Sequence, residues 1–292
     1  MTHIYIGIDI GGTNTRFIAL RGIEKQRARA TALPTPRSRR GVERMVVENI
    51  RSMSVGGRLA GVGIGIAGSV DVQRKIVVAA EHLPFLNGWK PLAALRPAVG
   101  VPMRLENDAR CFLLAEALWG AARGKRNIVG VAIGTGIGGG IMIDGAMYRG
   151  AHGSAGEVGD IFLEGRRTFE QSAAKRAWEQ WGNRSQAIGR GVAGIVSTLD
   201  PELMVLGGGA VAAGKVDLRV VRHAVRRFAI EPAASKTRIV FGDLGDAAQA
   251  IGAALLFALP IRPVAYRAGI RGSSIFQSVN DTEITVPRGD EC

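Results

Sequence analysis

Apolar residues gather in short runs along this chain, and most of the runs end at glycines or at polar turns. Continuous apolar runs predict buried strands, and apolar residues at a helical spacing predict helices. The predicted strands cover residues 4–10, 16–20, 59–66, 128–133, 141–143, 203–206 and 239–241. The predicted helices cover residues 41–52, 109–123, 170–181, 186–199, 211–228 and 247–259. With 47% apolar and 5% aromatic residues, the pattern predicts a soluble α/β protein.

One arrangement occurs twice, about 125 residues apart. The strand 4–10 leads through a glycine turn, Gly11-Gly12-Thr13, back into a strand, and the strand 128–133 does the same through Gly134-Thr135-Gly136. This repeat predicts a duplicated fold, in which two similar halves turn their hairpin tips towards a shared cleft. Glycine turns let backbone N–H groups approach an anion, and a threonine hydroxyl adds a donor, so the predicted guest is a polyphosphate.

The surroundings of the two turns refine this prediction. Neither turn is a P-loop or a dinucleotide fingerprint, because no Gly-Lys-Ser/Thr follows and each turn returns to a strand. Asp9 precedes the first turn, where it can bind magnesium through water. Gly207-Gly208-Gly209 forms a third turn suited to close approach.

Carboxylates mark the candidate chemistry. Asn107 and Asp108 stand where an apolar approach ends and the helix 109–123 begins, so Asp108 is either a helix N-cap or a catalytic base. Glu157 lies in a glycine-rich polar segment, 152–160, where a buried carboxylate needs a hydrogen-bonding partner such as a polyol. In the loop 82–89, anchoring of the loop by Trp89 is favoured over contact with a substrate.

Composition narrows location and partners. The chain shows no export signal and no apolar run of membrane-spanning length, so we expect a cytoplasmic protein without a membrane partner. Cys111 and Cys292 make neither a disulfide framework nor a metal site. The net charge of +13 is scattered without interleaved aromatic residues, which argues against a nucleic-acid partner and suits phosphorylated small molecules.

Seven motifs in order resemble the ROK family, named for its repressors, open reading frames and sugar kinases. They are GIDIGGTNTRF, GIGIAGSVD, LENDARCF, AIGTGIGGG, GSAGEVGD, LDPELMVLGGG and LGDAAQAIGAALL, between residues 4 and 259. The resemblance implies the actin-like, hexokinase-type ATPase fold, with ATP and a sugar in the cleft between two similar domains. Only three residues precede the first hairpin, which favours the kinase branch over the repressors.

The resemblance also implies roles for individual residues. Asp108 matches the general base in phosphorylation of a hexose or N-acylhexosamine hydroxyl. The implied sugar-binding residues are Asn107, Glu157, Glu170, Asp160 and Gly68. The implied ATP-binding residues are Asp9, Gly11, Gly12, Thr13, Gly134, Thr135, Gly136, Gly207, Gly208 and Gly209, with magnesium at Asp9. A homodimer is expected from the same resemblance.

The chain departs from the family pattern at one segment. Kinases of this family usually have Gly-Glu-x-Gly-His followed by a cysteine-rich zinc site, whereas Asp160 stands at the histidine position and no cysteine occurs between Cys111 and Cys292. We therefore expect no zinc, and expect segment 161–171 to be ordered by packing. The predicted packing residues are Ile161, Phe162, Leu163 and Phe169. This departure keeps open a sugar-sensing or regulatory protein without catalysis; a nucleic-acid-binding regulator rests on charge alone.

The expected domain organisation follows the repeat. Residues 1–119 form an N-terminal domain with the first turn and the Asn107-Asp108 pair, and 120–246 form a C-terminal domain with the other two turns. The helix 247–261 returns to the N-terminal domain, and 262–292 form a loosely held tail.

Overall fold

The computed structural model describes residues 2–22, 28–181 and 184–258. The predicted tail, 262–292, lies outside the described residues. The strands are β1 (His3–Ile10), β2 (Asn14–Arg21), β3 (Ala28–Pro34), β4 (Arg58–Ile66), β5 (Ser69–Asp71), β6 (Ile76–Ala79), β7 (Met103–Asn107), β8 (Ile128–Ile133), β9 (Ile137–Ile143), β10 (Ala146–Tyr148), β11 (Phe162–Glu164), β12 (Arg167–Thr168), β13 (Leu203–Gly207) and β14 (Arg238–Phe241). The helices are α1 (Arg39–Met53), α2 (Pro91–Val99), α3 (Asp108–Trp119), α4 (Phe169–Ala173), α5 (Lys175–Trp181), α6 (Ser185–Leu199), α7 (Gly209–Ala212), α8 (Leu218–Phe228), α9 (Ala233–Lys236) and α10 (Ala248–Leu255).

Two five-stranded sheets repeat one topology. The first has the strand order β3-β2-β1-β4-β7, and the second has the order β10-β9-β8-β13-β14. In each, three sequential strands pair antiparallel, and two later strands extend the sheet in parallel from the first of the three. The predicted α/β class and both predicted hairpins are therefore confirmed, and the repeat extends to whole sheets.

The core of the first sheet follows from β-branched residues on a central strand. Ile6, Ile8 and Ile10 of β1 are fully buried, because neighbours lie on both sides of this strand within the sheet and on both of its faces. On one face lies α1, whose buried residues Val42, Val46 and Ile50 recur every four positions. The apolar positions that predicted β1 and α1 in the sequence are therefore the positions that are buried in the structure.

Helix α10 packs on β1 and β4 and also against α3, at very short range. A Cβ atom at Gly7 would lie 1.9 Å from the carbonyl oxygen of Ala250, and one at Gly63 would lie 1.8 Å from that of Ala253. Glycines on the strands therefore let the helix backbone rest directly on the sheet. The predicted domain boundaries at 119 and 246 stay predictions.

Four predicted helices end early or divide. In the one predicted over 247–259, α10 ends at Leu255 and a 3-10 helix, Leu256–Ala258, follows. Helix α3 stops at Trp119 and not at residue 123, because the carboxylate of Glu116 accepts the backbone N–H of Ala121. The helix predicted over 170–181 is divided into α4 and α5, since the N–H of Lys175 bonds the carbonyl of Gly134 instead of continuing α4.

The helix predicted over 211–228 is likewise divided, into α7 and α8. Asp217 begins α8 as its N-cap, with its carboxylate accepting the backbone N–H groups of Arg219 and Val220. Within the described residues, no helix has the length and apolar character needed to cross a membrane.

Candidate active site

The first glycine turn joins β1 to β2 and is shaped by threonines. The N–H of Gly11 donates to the carbonyl of Asn14 at 3.1 Å, and the hydroxyl of Thr35 donates to the carbonyl of Gly11 at 2.7 Å. Thr35 also lies 3.0 Å from the hydroxyl of Thr15. Thr13 is exposed at the tip. The turn therefore has a fixed backbone and an open hydroxyl, and Thr35 is a contributor that the sequence did not reveal.

The second glycine turn joins β8 to β9 and contacts a predicted sugar ligand. The N–H of Gly134 donates to the carbonyl of Gly136 at 2.9 Å, and Thr135 is exposed. One oxygen of the Glu170 carboxylate, Oε2, accepts the N–H of Ile137 at 2.7 Å. The structure thus places Glu170 directly beside this turn, with one of its two oxygens engaged by backbone.

The third turn follows β13, and its three glycines have different surroundings. Gly207 packs against the ring of Phe112, where a Cβ atom would lie 2.3 Å from a ring carbon. Gly208 adopts φ +87°, a conformation that favours glycine, and lies against the backbone of Ile133. A Cβ atom at Gly209 would meet open space. Packing and backbone conformation explain the first two glycines, so Gly209 is the one open to a ligand.

Asn107 and Asp108 stand at the junction of β7 and α3. Asn107 is the N-cap of α3, since its Oδ1 accepts the N–H of Arg110 at 3.0 Å. Its Nδ2 donates to the carbonyl of Gly68 at 3.0 Å and to Oδ1 of Asp108 at 3.1 Å. The N-cap interpretation considered for Asp108 is therefore wrong, and that role belongs to Asn107. Asp108 is instead the first residue of the helix.

Asp108 has a fixed carboxylate in an unfavourable setting for negative charge. Its Oδ1 also accepts the N–H of Ala109 at 2.9 Å. Burial raises the pKa of Asp108 to about 6, and the negative charge of Glu157 adds to the effect, while the bond from Ala109 opposes it. A carboxylate whose pKa lies near neutrality is suited to accept a proton and to release it again.

Asp9 is only 4% exposed and shares this environment. Burial and the nearby charge of Asp108 raise the pKa of Asp9 to about 8, and Arg16 opposes them. Arg16 lies 4.0 Å from Asp9 and 3.3 Å from Asp246. A cation beside Asp9 would relieve the repulsion, and magnesium is commonly held by one or two carboxylates, water and substrate phosphates. The residues present therefore fit magnesium.

Glu157 completes the group of carboxylates. Burial raises its pKa, Arg110 and a hydrogen bond from Ser69 lower it, and Asp160 and Glu170 raise it. Asp160 is exposed. These mutual effects place Glu157 among the other predicted site residues. Asn107 thus joins Gly68 to Asp108, the charge of Glu157 reaches Asp108, and the charges of Asp160 and Glu170 reach Glu157. Asp9 lies at the end of β1, beside the first glycine turn.

Besides Thr35, the sequence analysis missed Glu106, Arg110 and Arg149. The carboxylate of Glu106 accepts hydrogen bonds from Arg110 at 3.1 Å and from Arg149 at 2.8 Å. The four-residue spacing of Glu106 and Arg110 across the start of a helix was the available signal. Arg149 comes from a distant segment, so no local pattern pointed to it.

The loop 82–89 behaves as predicted at its tryptophan. Trp89 is buried and its ring N–H donates to the carboxylate of Glu43 at 2.8 Å, which supports the anchoring role. His82, in contrast, is exposed, and a Cβ atom at Gly12 would lie 2.7 Å from the Cβ of His82. The loop therefore lies against the first glycine turn.

The prediction for segment 161–171 is wrong in part. Phe162 is 68% exposed and Ile161 is 40% exposed, so neither orders the segment by packing. Phe169 is buried and Leu163 packs partly against the same core. A capping box between Thr168 and Gln171 fixes the start of α4. Local hydrogen bonding thus replaces the apolar contacts that the sequence suggested.

The described ranges 2–22, 28–181 and 184–258 contain no cluster of metal-binding side chains. No group of three or more His, Cys, Asp or Glu side chains there could hold a metal ion by itself. Magnesium held by Asp9 through water needs no such group. The expected absence of zinc stays a prediction.

Comparison with known proteins gives the family. The family model described as "ROK family" matches residues 5–172 and 163–259. A glucokinase of Streptomyces coelicolor is 26% identical over 311 residues, covering 85% of this chain and 96% of the relative. The bifunctional enzyme NanE/NanK of Brucella melitensis is 31% identical over 287 residues, covering 87% of this chain and 54% of the relative.

A solved structure has the same fold. The ROK family glucokinase of Streptomyces griseus, determined in complex with glucose and AMPPNP, superposes with a TM-score of 0.77 at 25% identity. The match covers 87% of this chain and 98% of that one. The predicted hexokinase-type, actin-like fold with two similar domains and a cleft is therefore confirmed. Because the family model spans most of the sequence, from residue 5 to residue 259, this chain belongs to the ROK family.

Proposed function

We propose that the protein is an ATP-dependent kinase that phosphorylates a hydroxyl of a hexose or N-acylhexosamine. The observation that carries the proposal is Asp108, a carboxylate with a raised pKa, oriented by Asn107, close to Glu157 and beside Asp9. Relatives named as glucokinases and as an N-acetyl-D-glucosamine kinase support the substrate class.

Asp108 is assigned as the general base. Its Oδ1 is engaged by Ala109 and Asn107, so Oδ2 is assigned to take the proton of the attacking hydroxyl. Phosphoryl transfer asks little else of the protein than positioning and charge stabilisation. The bonds to Oδ1 fix the carboxylate, and this lowers the cost of orienting it at the moment of reaction.

The sugar is assigned to Asn107, Glu157, Glu170, Asp160 and Gly68. Both N–H groups of the Asn107 amide already have acceptors, in Gly68 and Asp108. Asn107 therefore meets the sugar through the remaining lone pair of Oδ1, or by exchanging one of its present partners. Glu170 offers Oε1, because Oε2 holds the backbone of Ile137.

ATP is assigned to the glycine turns. Gly11, Gly12 and Thr13 form the first phosphate turn, and Gly134, Thr135 and Gly136 form the second. Gly207, Gly208 and Gly209 are assigned to the adenosine side, with Gly209 the most open. Magnesium held near Asp9 would neutralise phosphate charge. Arg16 keeps Asp9 and Asp246 linked by charge on this side.

The test is ADP formation over a panel of hexoses and hexosamines, with ATP and magnesium present. We expect at least one sugar to stimulate ADP release. Asp108→Asn keeps the side-chain size and removes the base, and should lower kcat by about 10²- to 10⁴-fold. Asp144→Asn is the matched control, because Asp144 is exposed on the turn after β9 and should change nothing. Near-normal turnover of Asp108→Asn would refute the assignment.

The competing proposal is a sugar-sensing protein of the same family without turnover. It is favoured by Asp160, which stands where kinases of the family usually have histidine and whose charge disfavours the ionised form of Glu157. Such a protein would bind a sugar in calorimetry while releasing no ADP.

The remaining parts of the proposal concern assembly and location. A homodimer and a cytoplasmic location are kept from the family resemblance. Light scattering at micromolar concentration tests the dimer: a mass near 30.8 kDa, that of one chain, would contradict it.

A further inference from the structure

A carboxylate buried beneath the site holds two arginines at once. Glu106 is fully buried, and its Oε1 lies 3.1 Å from Nη1 of Arg110. Its Oε2 lies 2.7 Å from Nη2 and 2.8 Å from Nε of Arg149, so two nitrogens of one guanidinium meet the same carboxylate oxygen. Oε1 also accepts the backbone N–H of Asn107 at 3.0 Å. Four donors therefore converge on one carboxylate.

This cluster joins elements that belong to different parts of the fold. Glu106 ends β7 in the first sheet, Arg110 lies in the first turn of α3, and Arg149 directly follows β10 at the edge of the second sheet. Burying the charged groups of Glu106 and Arg110 costs desolvation energy, which is offset only when the geometry and the hydrogen bonding are good. The cluster therefore links the two sheets at a cost in desolvation energy.

The arginines also hold the segment that leads to Glu157. Nη2 of Arg110 donates to the carbonyls of Gly153 and, at 3.0 Å, of Ala155. The N–H of Ala155 in turn donates to the carbonyl of Arg149 at 3.1 Å, so residues 149–155 close around the guanidinium of Arg110. Glu157 follows two residues later, and Arg110 is close enough to favour its ionised form.

The other side of the cluster reaches the catalytic base. Through the N–H of Asn107, Glu106 supports the residue that caps α3 and bonds Asp108. One buried carboxylate therefore touches the support of Asp108 and, through Arg110 and Arg149, the support of Glu157.

We infer that Glu106, Arg110 and Arg149 are positioning residues that fix Glu157 relative to Asp108 and so set the fit of the acceptor sugar. The expected effect on the KM of the sugar rests on the proposed function. The expected effect on the order of the segment leading to Glu157 rests on the contacts alone. The contacts of the cluster lead to Asn107 and to residues 153–157, which carry the groups assigned to the sugar, so the cluster is expected to act on the sugar side.

The kinetic test uses Arg149, which is partly exposed and therefore tolerates change better than Arg110. Arg149→Gln should raise the KM for the sugar about tenfold or more and leave the KM for ATP within about twofold. Arg149→Lys, which keeps the charge but not the two-point contact, should recover part of the loss. Arg222→Gln is the matched control: Arg222 donates twice to the carbonyl of Ile239 on β14, at the opposite edge of the second sheet from β10 and Arg149.

A second measurement needs neither sugar nor ATP. Hydrogen exchange of the 150–158 peptide should be about tenfold faster or more in Arg149→Gln and in Arg110→Gln, and unchanged in Arg222→Gln. Equal increases of both KM values, or unchanged exchange of that peptide, would overturn the inference. If no sugar supports turnover even in the wild type, the proposed function fails, while the exchange result still decides whether the cluster fixes the segment.

Discussion

The pKa of Asp108 is set by burial and by two neighbours with opposite effects. Ala109 donates a backbone hydrogen bond that stabilises its ionised form, whereas burial and the charge of Glu157 favour the protonated form. The second influence wins, and the pKa rises from 3.8 to about 6. The group is therefore ionised at neutral pH and still basic enough to accept a proton.

This pKa sets a prediction for the pH profile. A general base works only when deprotonated. With magnesium saturating and holding Asp9 ionised, kcat/KM should therefore fall about tenfold per pH unit below pH 6 and level off above it. An ordinary aspartate would place that fall near pH 4. The measurement is kcat/KM for the sugar between pH 4.5 and 8 at saturating ATP and magnesium. A profile flat down to pH 4.5 would show that no base with a pKa near 6 controls kcat/KM, which would contradict the role assigned to the raised pKa of Asp108.

At the scale of residues, the sequence predicted which residues belong to the candidate site better than it predicted their hydrogen-bond partners. The pair Asn107-Asp108 was found because a polar pair before a helical pattern is a local signal, yet the assignment of the N-cap needed the geometry of Arg110. Thr35 and Arg149 reach the site from segments far from it in sequence. Contacts between segments far apart in sequence produce no periodic pattern of residues from which they could be predicted.

At the scale of elements, α10 packs closely because glycines at its contacts leave room for backbone to touch backbone. A Cβ atom at Gly252 would lie 1.8 Å from the carbonyl oxygen of Cys111, so α10 and α3 cross with their backbones in contact. Backbone atoms cannot rotate away as a long side chain can. This contact makes the crossing intolerant of any larger residue.

A matched pair of glycine substitutions tests this crossing. Gly252→Ala should reduce the free energy of unfolding by about 1–3 kcal/mol, the usual cost of overpacking. Gly194→Ala lies in the middle of α6, where a Cβ atom meets open space, and should increase it by about 0.5–1 kcal/mol. Thermal unfolding of both variants provides the measurement. A Gly252→Ala variant as stable as the wild type would show that the helices can separate without cost.

The segment between the Gly-Glu motif and α4 gives a second prediction at this scale. Hydrogen bonds of Thr168 with Gln171 and burial of Phe169 order it, and no cysteine lies between Cys111 and Cys292 to bind zinc there. We therefore expect metal analysis of the purified protein to find no stoichiometric zinc. Activity lost to a chelator should return fully with magnesium. One tightly bound zinc per chain would contradict this account.

Element boundaries were where the sequence failed, and the reasons are physical. The division of the helix predicted over 170–181 depends on the carbonyl of Gly134, and the early end of α3 depends on the carboxylate of Glu116. Glu116 also accepts the backbone N–H groups of Asp243 and Leu244. Helical periodicity continues through such points, because apolar spacing does not record competing hydrogen bonds.

At the scale of the whole molecule, the repeated topology distributes the site over two sheets. Asp9 and Asp108 belong to the first sheet and the helix that follows it, whereas Glu170 and the second glycine turn belong with the second. The glycine hairpins made this repeat visible in the sequence. The equal strand order of the two sheets was not visible, because β3 and β10 have weak apolar patterns.

This distribution predicts that sugar and nucleotide stabilise each other's binding. Each ligand that contacts both halves orders them relative to one another, so the second ligand binds to halves already brought together, and the coupling must be equal in both directions. We expect a non-hydrolysable ATP analogue with magnesium to lower the Kd of the sugar by about 5- to 100-fold, within the usual range for coupled sites. Calorimetry in both orders of addition measures it.

Thermal unfolding gives an independent check of the same coupling. The increase in Tm with both ligands should exceed the sum of the increases with each alone, since a ligand stabilises the fold in proportion to the logarithm of its concentration over its Kd. Arg222→Gln should keep the excess, because Arg222 bonds the carbonyl of Ile239 on the edge strand β14, and Ile239 is not among the residues assigned to either ligand. Strictly additive increases, together with a sugar Kd unaffected by the nucleotide, would mean that the two halves bind their ligands independently. That result would favour the sugar-sensing alternative over the kinase, because a sensor needs no such coupling to a nucleotide.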